Sequence, residues 1–106
     1  MNHRLNVLSP LVIRQHKLKN RIVFGPHRTN FAVNHGPGDR HVSYYEERAR
    51  SGAALIIVEG GVVHPSDYPY ENAIFAFQKE TETGYRRIAE AVHRHGSLVV
   101  AGLNHY

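Results

Sequence analysis

Two runs of apolar residues, separated by a helical pattern, constrain the fold of this chain more than any other feature. The runs are "AALIIV" (53–58) and "SLVVAGL" (97–103). Neither run alternates apolar with polar residues, as a strand with one solvated face would, so both are typical of strands buried on both faces of a parallel sheet. Parallel neighbours need a crossover connection, and the segment between the two runs is long enough to hold a helix.

The segments around these runs extend the pattern to a hairpin followed by β, α, β, α and β. "LVIRQHKLKNRI" predicts a two-stranded hairpin around Gln15, and Arg21–Phe24 predicts a short strand that ends at a Gly-Pro turn. Asp39 is predicted to cap a helix over "DRHVSYYEERARSG", and a second helix fits "ETGYRRIAEAVHRHG". Alternating strands and helices predict an α/β fold, either a doubly wound parallel sheet or a (β/α)8 barrel.

Composition excludes several classes of function. The chain has no cysteine, so this stretch holds no disulfide, thiol nucleophile, cysteine zinc site or iron–sulfur ligand. The net charge is +4, but the arginines alternate with acids, as in "YYEERAR", which is typical of a solvated helix face and predicts no nucleic-acid partner. The longest apolar run is broken by Glu59 and no signal-peptide pattern is present, so we expect no membrane partner and a cytoplasmic location.

The polar residues of the chain gather after the three predicted parallel strands. These strands are followed by "GPHRTN", "EGGVVHPSDYPY" and "GLNHY", whereas the opposite connections, "RSGAA" and "HRHGSL", are short. In both candidate folds the functional site lies beyond the carboxyl ends of the strands. Gly25, Gly60 and Gly102 lack a Cβ, so a flat ligand can come close to the backbone there. The pattern therefore predicts a site that meets the edge of a planar heterocycle.

Histidines at the strand ends leave one alternative open. His64 and His105 follow strands, which would suit a metal-dependent barrel hydrolase, but the carboxylates and the His-x-His strand pattern of such a site are missing. His93 and His95 are two residues apart near a helix end and point in different directions, whereas a helical metal pair needs a spacing of about three or four. We therefore predict no metal site.

Three stretches together resemble the opening of the Old Yellow Enzyme-like flavin oxidoreductases. They are "LSPLVIRQHKLKNRIVFGPHRTNF", "YYEERARSGAALIIVEGGVVHP" and "HRHGSLVVAGLNHY". The chain is most similar to the branch that contains trimethylamine dehydrogenase and 2,4-dienoyl-CoA reductase, and "GPHRTN" resembles members that act on N-methylated amines or N-methylproline. The resemblance implies the N-terminal portion of a (β/α)8 TIM barrel, with a leading β-hairpin, three parallel strands and FMN over the strand ends.

The resemblance also implies roles for individual residues. Catalytic roles fall to Arg28 and His27, and cofactor contacts fall to six positions: Gly25, Pro26, His27, Arg28, Gly60 and Gly102. The backbone of Pro26 and His27 matches the turn that touches the isoalloxazine ring. Arg28 stands where the family usually has Thr or Cys near the flavin carbonyl and N5. Gly60 matches the residue at the pyrimidine edge.

Three positions depart from the family pattern. Gly102 matches a flavin-binding Gln, so a contact there would be made by backbone or water. A cation at Arg28 that points inward favours anionic reduced flavin and raises the reduction potential, whereas one that points away would pair with a carboxylate. Gly60 stands where trimethylamine-type enzymes have an aromatic residue, and Tyr68 or Tyr70 of the same loop is a candidate replacement for binding an alkylammonium group.

Length sets the last expectation. A complete barrel needs roughly 250 residues, so we expect residues 1–106 to be the N-terminal segment of a flavin-binding barrel domain that is completed by further chain or by another subunit in an oligomer. We predict an FMN-dependent oxidoreductase acting on a small molecule, by demethylation or dehydrogenation of an N-methylated amine or by reduction of an enoyl or enoate group. The resemblance places 4Fe-4S, FAD and NAD(P)H sites beyond this segment. The alternative is a non-catalytic half-barrel that serves in assembly.

Overall fold

The computed structural model describes residues 6–105, and Tyr106 of the third strand-end segment lies outside them. In chain order the elements are β1 (Leu11–Ile13), β2 (His16–Leu18), β3 (Val23–Phe24), α1 (Asp39–Arg50), β4 (Leu55–Val62), β5 (Ile74–Phe75), α2 (Thr81–His93) and β6 (Leu98–Asn104). Neither described helix is long and apolar enough to cross a bilayer.

Strand β4 is the centre of the main sheet. Strand β3 pairs with its first half on one edge, and β6 runs along the other edge, both in parallel. Both helices pack over the same core, in which Ile56 and Val58 of β4 meet Tyr45 of α1 and Ile88 of α2. Strands in sequential order with helices on one face are the barrel arrangement, because a doubly wound sheet carries helices on both faces. The N-terminal portion of a (β/α)8 barrel is thereby confirmed.

The predicted hairpin is also present and lies at the end of the sheet opposite the polar strand ends. Strands β1 and β2 are antiparallel, and Leu18 is its buried anchor. The Lys19 ammonium donates to the His95 carbonyl and the Asn20 amide donates to the Gly52 carbonyl, each in a loop that leads from a helix into a strand. The hairpin therefore ties together the amino-terminal ends of β4 and β6.

Two predicted boundaries are wrong. Gly38, not Asp39, is the N-cap of α1, and Asp39 lies in the first turn, where its carboxylate binds Arg87 of α2. An acidic side chain in the first turn is favoured by the helix dipole even when it does not cap the helix. Strand β4 runs on to Val62, and β5 forms within the stretch predicted as a polar connection, because Ile74 and Phe75 pair with the end of β4.

A β-bulge divides the ladder between β4 and β6. Val58 pairs with Ala101, but the next pair is Gly61 with Leu103, so β4 carries one extra residue over this step. Bulges bend a strand and change the direction of its side chains, often beside functional sites. At this bulge two consecutive residues are both buried: Val58 belongs to the same core cluster as Tyr45, and Glu59 accepts a hydrogen bond from the Tyr45 hydroxyl.

Candidate functional site

An open cleft lies at the carboxyl ends of β3, β4 and β6. Its volume is about 280 Å³, and its lining comes from all three strand ends and the long loop after β4: Pro26, His27, Arg28, Gly60, Tyr70, Gly102, Leu103 and Asn104. The structure thus brings together five of the six positions predicted to contact a cofactor. The sixth, Gly25, precedes the cleft and is not among its lining residues.

The two predicted catalytic side chains point to different surroundings. The His27 imidazole forms a short hydrogen bond with the Tyr44 hydroxyl of α1, and its ring also packs edge-on against Phe24. The Arg28 guanidinium lies over the Tyr70 ring, with Cζ 4.1 Å from the ring centroid. His27 is therefore anchored to the helix layer, whereas Arg28 is held at the cleft by a cation–π contact.

Gly60 and Gly102 bring the backbones of β4 and β6 close together at the floor of the cleft. A Cβ on Gly60 would overlap the Asn104 amide nitrogen and come within 2.8 Å of Asn104 Cγ. A Cβ on Gly102 would lie 3.3 Å from the Val58 carbonyl oxygen. Glycine at both positions therefore lets the two backbones and the Asn104 amide pack closely, and the close approach of a flat ligand stays a prediction.

A buried polar cluster, here called the Glu59 cluster, supports the cleft from behind. It consists of Glu59, Thr29, His41 and Tyr45, and both His41 and Glu59 are at most 1% exposed. Glu59 Oε1 accepts from Thr29 Oγ1 at 2.7 Å and from the Tyr45 hydroxyl at 2.8 Å, and His41 Nε2 lies 3.4 Å away. Every member has a partner, as a buried polar group requires.

Hydrogen bonds assign the histidine tautomer in this cluster. His41 Nδ1 accepts from the Gly38 amide at 3.3 Å, so its hydrogen lies on Nε2, which faces Thr29 Oγ1 and the Glu59 carboxylate. Burial alone raises the pKa of the Glu59 carboxyl, but the hydrogen bonds from His41, Thr29 and Tyr45 together outweigh burial, and its pKa lies below the ordinary 4.5. Glu59 is therefore a carboxylate at neutral pH.

Two members of the Glu59 cluster are neighbours in sequence of residues that line the cleft. Thr29, which donates to Glu59 through both its hydroxyl and its amide, is the residue after Arg28. Glu59 itself precedes Gly60. One carboxylate thus fixes the turn after β3 to the end of β4, and these are two of the walls of the cleft.

Other predicted side chains lie outside the cleft lining. Tyr68 is 61% exposed and packs against His35 and Phe75 instead. The Ser66 hydroxyl lies between His64 Nδ1 at 2.9 Å and His105 Nε2 at 3.1 Å, so the strand-end histidines meet at a serine. Over residues 6–105, no three His, Asp or Glu side chains are grouped as metal ligands would be.

Two tyrosines whose hydroxyls are buried give a matched test of the Glu59 cluster. The Tyr45 hydroxyl donates to a carboxylate, whereas the Tyr85 hydroxyl is buried with no hydrogen-bond partner among residues 6–105. Burial, with a smaller effect of the Glu59 charge, raises the pKa of Tyr85 to about 12. We expect Tyr45→Phe to lower the free energy of unfolding by about 1.5–3 kcal/mol, and Tyr85→Phe to leave it unchanged or raise it by up to about 1 kcal/mol.

Urea unfolding of the full chain would measure both tyrosine variants. Equal losses in the two variants would contradict the hydrogen-bond assignment, since both substitutions remove a buried hydroxyl oxygen.

Comparison with known proteins identifies the chain. A sequence profile of the NADH:flavin oxidoreductase / NADH oxidase family matches residues 6–106. The chain belongs to this family. The match covers nearly the whole sequence, including every residue that lines the cleft.

Individual relatives agree with this membership. The chain is 29% identical over 100 residues to a probable N-methylproline demethylase of Rhizobium meliloti, and 34% identical over 110 residues to an NADH oxidase of Thermoanaerobacter brockii. The two matches include 93% and 99% of this chain, but only 15% and 16% of the length of the relatives. The structure of Old Yellow Enzyme from Pichia is similar with a TM-score of 0.85 at 29% identity, covering 94% of this chain and 26% of that one.

Proposed function

We propose that this chain supplies the flavin-facing strands of an FMN-dependent oxidoreductase, with the cleft as the place where it meets the isoalloxazine edge. The observation that carries the proposal is the glycine floor. The Asn104 side chain occupies the space that a Cβ on Gly60 would need, and a Cβ on Gly102 would crowd the Val58 carbonyl, so the two glycines let β4, β6 and the Asn104 amide pack closely beneath the cleft. A closely packed floor of backbone and one amide side chain suits the polar edge of a flat, rigid ring system.

The residues around this floor fit the edge of a flavin. Backbone groups of Pro26, His27 and Arg28 would hold one side of the ring, as the family resemblance implies, and Gly60 with Gly102 would hold the opposite side. Gly25 would act by letting the chain turn into the cleft. Arg28 would lie at the polar edge of the ring and stabilise negative charge there, while His27, bonded to Tyr44, would hold the turn in place.

Bound FMN supplies hydride transfer, so the reaction is a two-electron oxidation or reduction of a small molecule. We favour dehydrogenation or demethylation of an N-methylated amine, which the relative from Rhizobium supports, and NAD(P)H or the amine would provide the electrons. Further chain, or another subunit in an oligomer, would complete the barrel and hold the FMN phosphate. A 4Fe-4S cluster and FAD would belong to such further regions, and a cytoplasmic location stays a prediction.

Flavin content tests the proposal directly. We expect the purified full-length protein to be yellow, with one FMN released per chain on denaturation, and its absorbance near 450 nm to bleach anaerobically with NADH, NADPH or an N-methylated amine. A well-folded protein that stays colourless after incubation with FMN would contradict the proposal. That result would favour the non-catalytic half-barrel.

A further inference from the structure

The side chains of Arg28 and Tyr70 stack on each other at one corner of the cleft. This pair, here called the Arg28–Tyr70 pair, indicates a ligand. The guanidinium Cζ stands 4.1 Å from the ring centroid, and both residues line the cleft with Gly60 and Asn104. Stacking occupies one face of the guanidinium and leaves the N–H groups around its edge free to donate. The Tyr70 ring therefore orients the Arg28 guanidinium without accepting hydrogen bonds from its N–H groups.

Arg28 has no carboxylate partner within residues 6–105. In contrast, Arg50, Arg86, Arg87 and Arg94 each form an ion pair with an acidic side chain. The possibility that Arg28 turns away from the cleft to bind a carboxylate of the chain is thus not what the structure shows. The stacking on Tyr70 holds the edge of the Arg28 guanidinium at the cleft, which lies at the end of the barrel where barrel proteins bind their substrates.

Charge decides which ligand this corner accepts. A plain alkylammonium group would meet repulsion from the guanidinium, and the face of Tyr70 that would attract it is already covered by Arg28. A carboxylate, in contrast, matches the fork of a guanidinium and can accept two parallel hydrogen bonds from it. The aromatic recognition of an amine predicted for Tyr70 is therefore replaced here by recognition of an anion.

We propose that Arg28 and Tyr70 form a subsite for the carboxylate of the substrate, which makes the substrate class an N-methylated amino acid rather than a simple methylamine. This inference rests on the proposed function. Arg28 lies beside the polar edge of the flavin ring, and those of its N–H groups that face away from the ring bind the carboxylate. Tyr70 is a positioning residue that holds the guanidinium at the cleft.

Binding of a carboxylate that cannot react tests the subsite without relying on turnover. The probes are cyclopentanecarboxylate and its neutral counterpart, cyclopentanecarboxamide, titrated into the full-length protein by calorimetry. We expect the carboxylate to bind about 10- to 100-fold more tightly than the amide, because a charge-assisted bidentate pair is lost in the amide. We expect Arg28→Gln to reduce this ratio to near one and Tyr70→Leu to reduce it partly.

Arg40→Gln is the matched control. Arg40 also stacks on an aromatic ring, with Cζ 3.9 Å from the Phe31 centroid, but it does not line the cleft. The ratio should be unchanged in this variant. A ratio near one in the wild-type protein, or a ratio that survives in Arg28→Gln, would overturn the subsite.

The flavin result separates the two proposals. A yellow, reducible protein with no preference for the carboxylate overturns the subsite and leaves the proposed function intact. A colourless protein that loses its preference in Arg28→Gln has an anion site at this corner, but it overturns the proposed function and, with it, the assignment of that anion to an N-methylated amino acid.

Discussion

Replacing Glu59 by alanine is expected to destabilise the full-length protein by about 3–5 kcal/mol. The substitution leaves the Thr29 and Tyr45 hydroxyls without the acceptor that they share, removes one of the two acceptors near His41 Nε2, and opens a cavity at a position that is 1% exposed. Each unsatisfied buried group costs roughly 1–3 kcal/mol, and the cavity adds to that loss. Glu59→Gln should cost less, about 1–2 kcal/mol, because its amide oxygen still accepts from the hydroxyls.

Thermal unfolding measures the size of this effect, and hydrogen exchange locates it. We expect the unfolding midpoint of Glu59→Ala to fall by more than about 10 °C. The Thr29 amide donates to Glu59 Oε2 in the wild type, so its protection from exchange should be lost in the variant. Glu47→Ala is the control, because Glu47 lies on the exposed side of α1 and pairs only with Arg50 and Ser51. A Glu59→Ala protein as stable as the control would show that the cluster contributes little.

The stability of the wild-type protein in acid should also depend on the Glu59 carboxylate. The folded pKa of Glu59 lies below its ordinary 4.5, so its stabilising effect is fully present above pH 4.5 and is lost as pH falls through the folded value. Glu59→Gln has no such titration. The difference in stability between the two proteins should therefore shrink below about pH 4.5, and a difference that grew in acid would contradict the assignment.

The second large effect is expected from Gly60→Ala, which should weaken FMN binding by about 10- to 100-fold. The added methyl group overlaps the Asn104 amide and forces it either into the cleft or away from β4, so the floor of the cleft is rearranged. The FMN dissociation constant, measured by quenching of flavin fluorescence on binding to apoprotein, reports this directly. Gly36→Ala is the control, since a Cβ there would lie 3.8 Å from the Val33 carbonyl, which is an ordinary contact.

A second substitution distinguishes the overlap from a general weakening of the strand. Asn104→Ala removes the atoms that the new methyl group would meet. If the overlap is the cause, Asn104→Ala in the Gly60→Ala background should recover much of the lost affinity, and the two effects will not add. Additive losses would contradict the explanation.

The parts of the fold that the sequence predicts correctly are those with a strong local pattern. The continuous apolar run of β4 and the periodic apolar faces of the helices are readable because burial selects apolar residues locally. Strand β6, which the sequence predicts to be buried on both faces, has no fully buried residue. The clustering of the strand ends also follows, since parallel strands bring their carboxyl ends to one edge. Five of the six proposed cofactor positions meet in one cleft for that reason.

The Glu59 cluster was missed because its members are far apart in sequence and each has an ordinary interpretation. Glu59 interrupts an apolar run, and His41 and Tyr45 look like a polar and an aromatic residue on a helix. Two signals were available: an acidic residue inside a strand that is otherwise buried, and a His–Tyr pair four residues apart on the buried face of α1. The Arg28–Tyr70 contact had no such signal, because it depends on the path of the long loop after β4.

The extra residue in β4 has a consequence for how this protein can change. Below it, Ile56 and Val58 pack with the helices in one register, and above it Gly61 and Leu103 continue in another. At the upper end Leu103 is 65% exposed and can be substituted without disturbing the packing beneath, whereas a side chain at Gly61 would strike Tyr85. The bulge therefore allows exposed residues at the strand ends to change with the ligand in related proteins, while the packed part of the sheet is conserved.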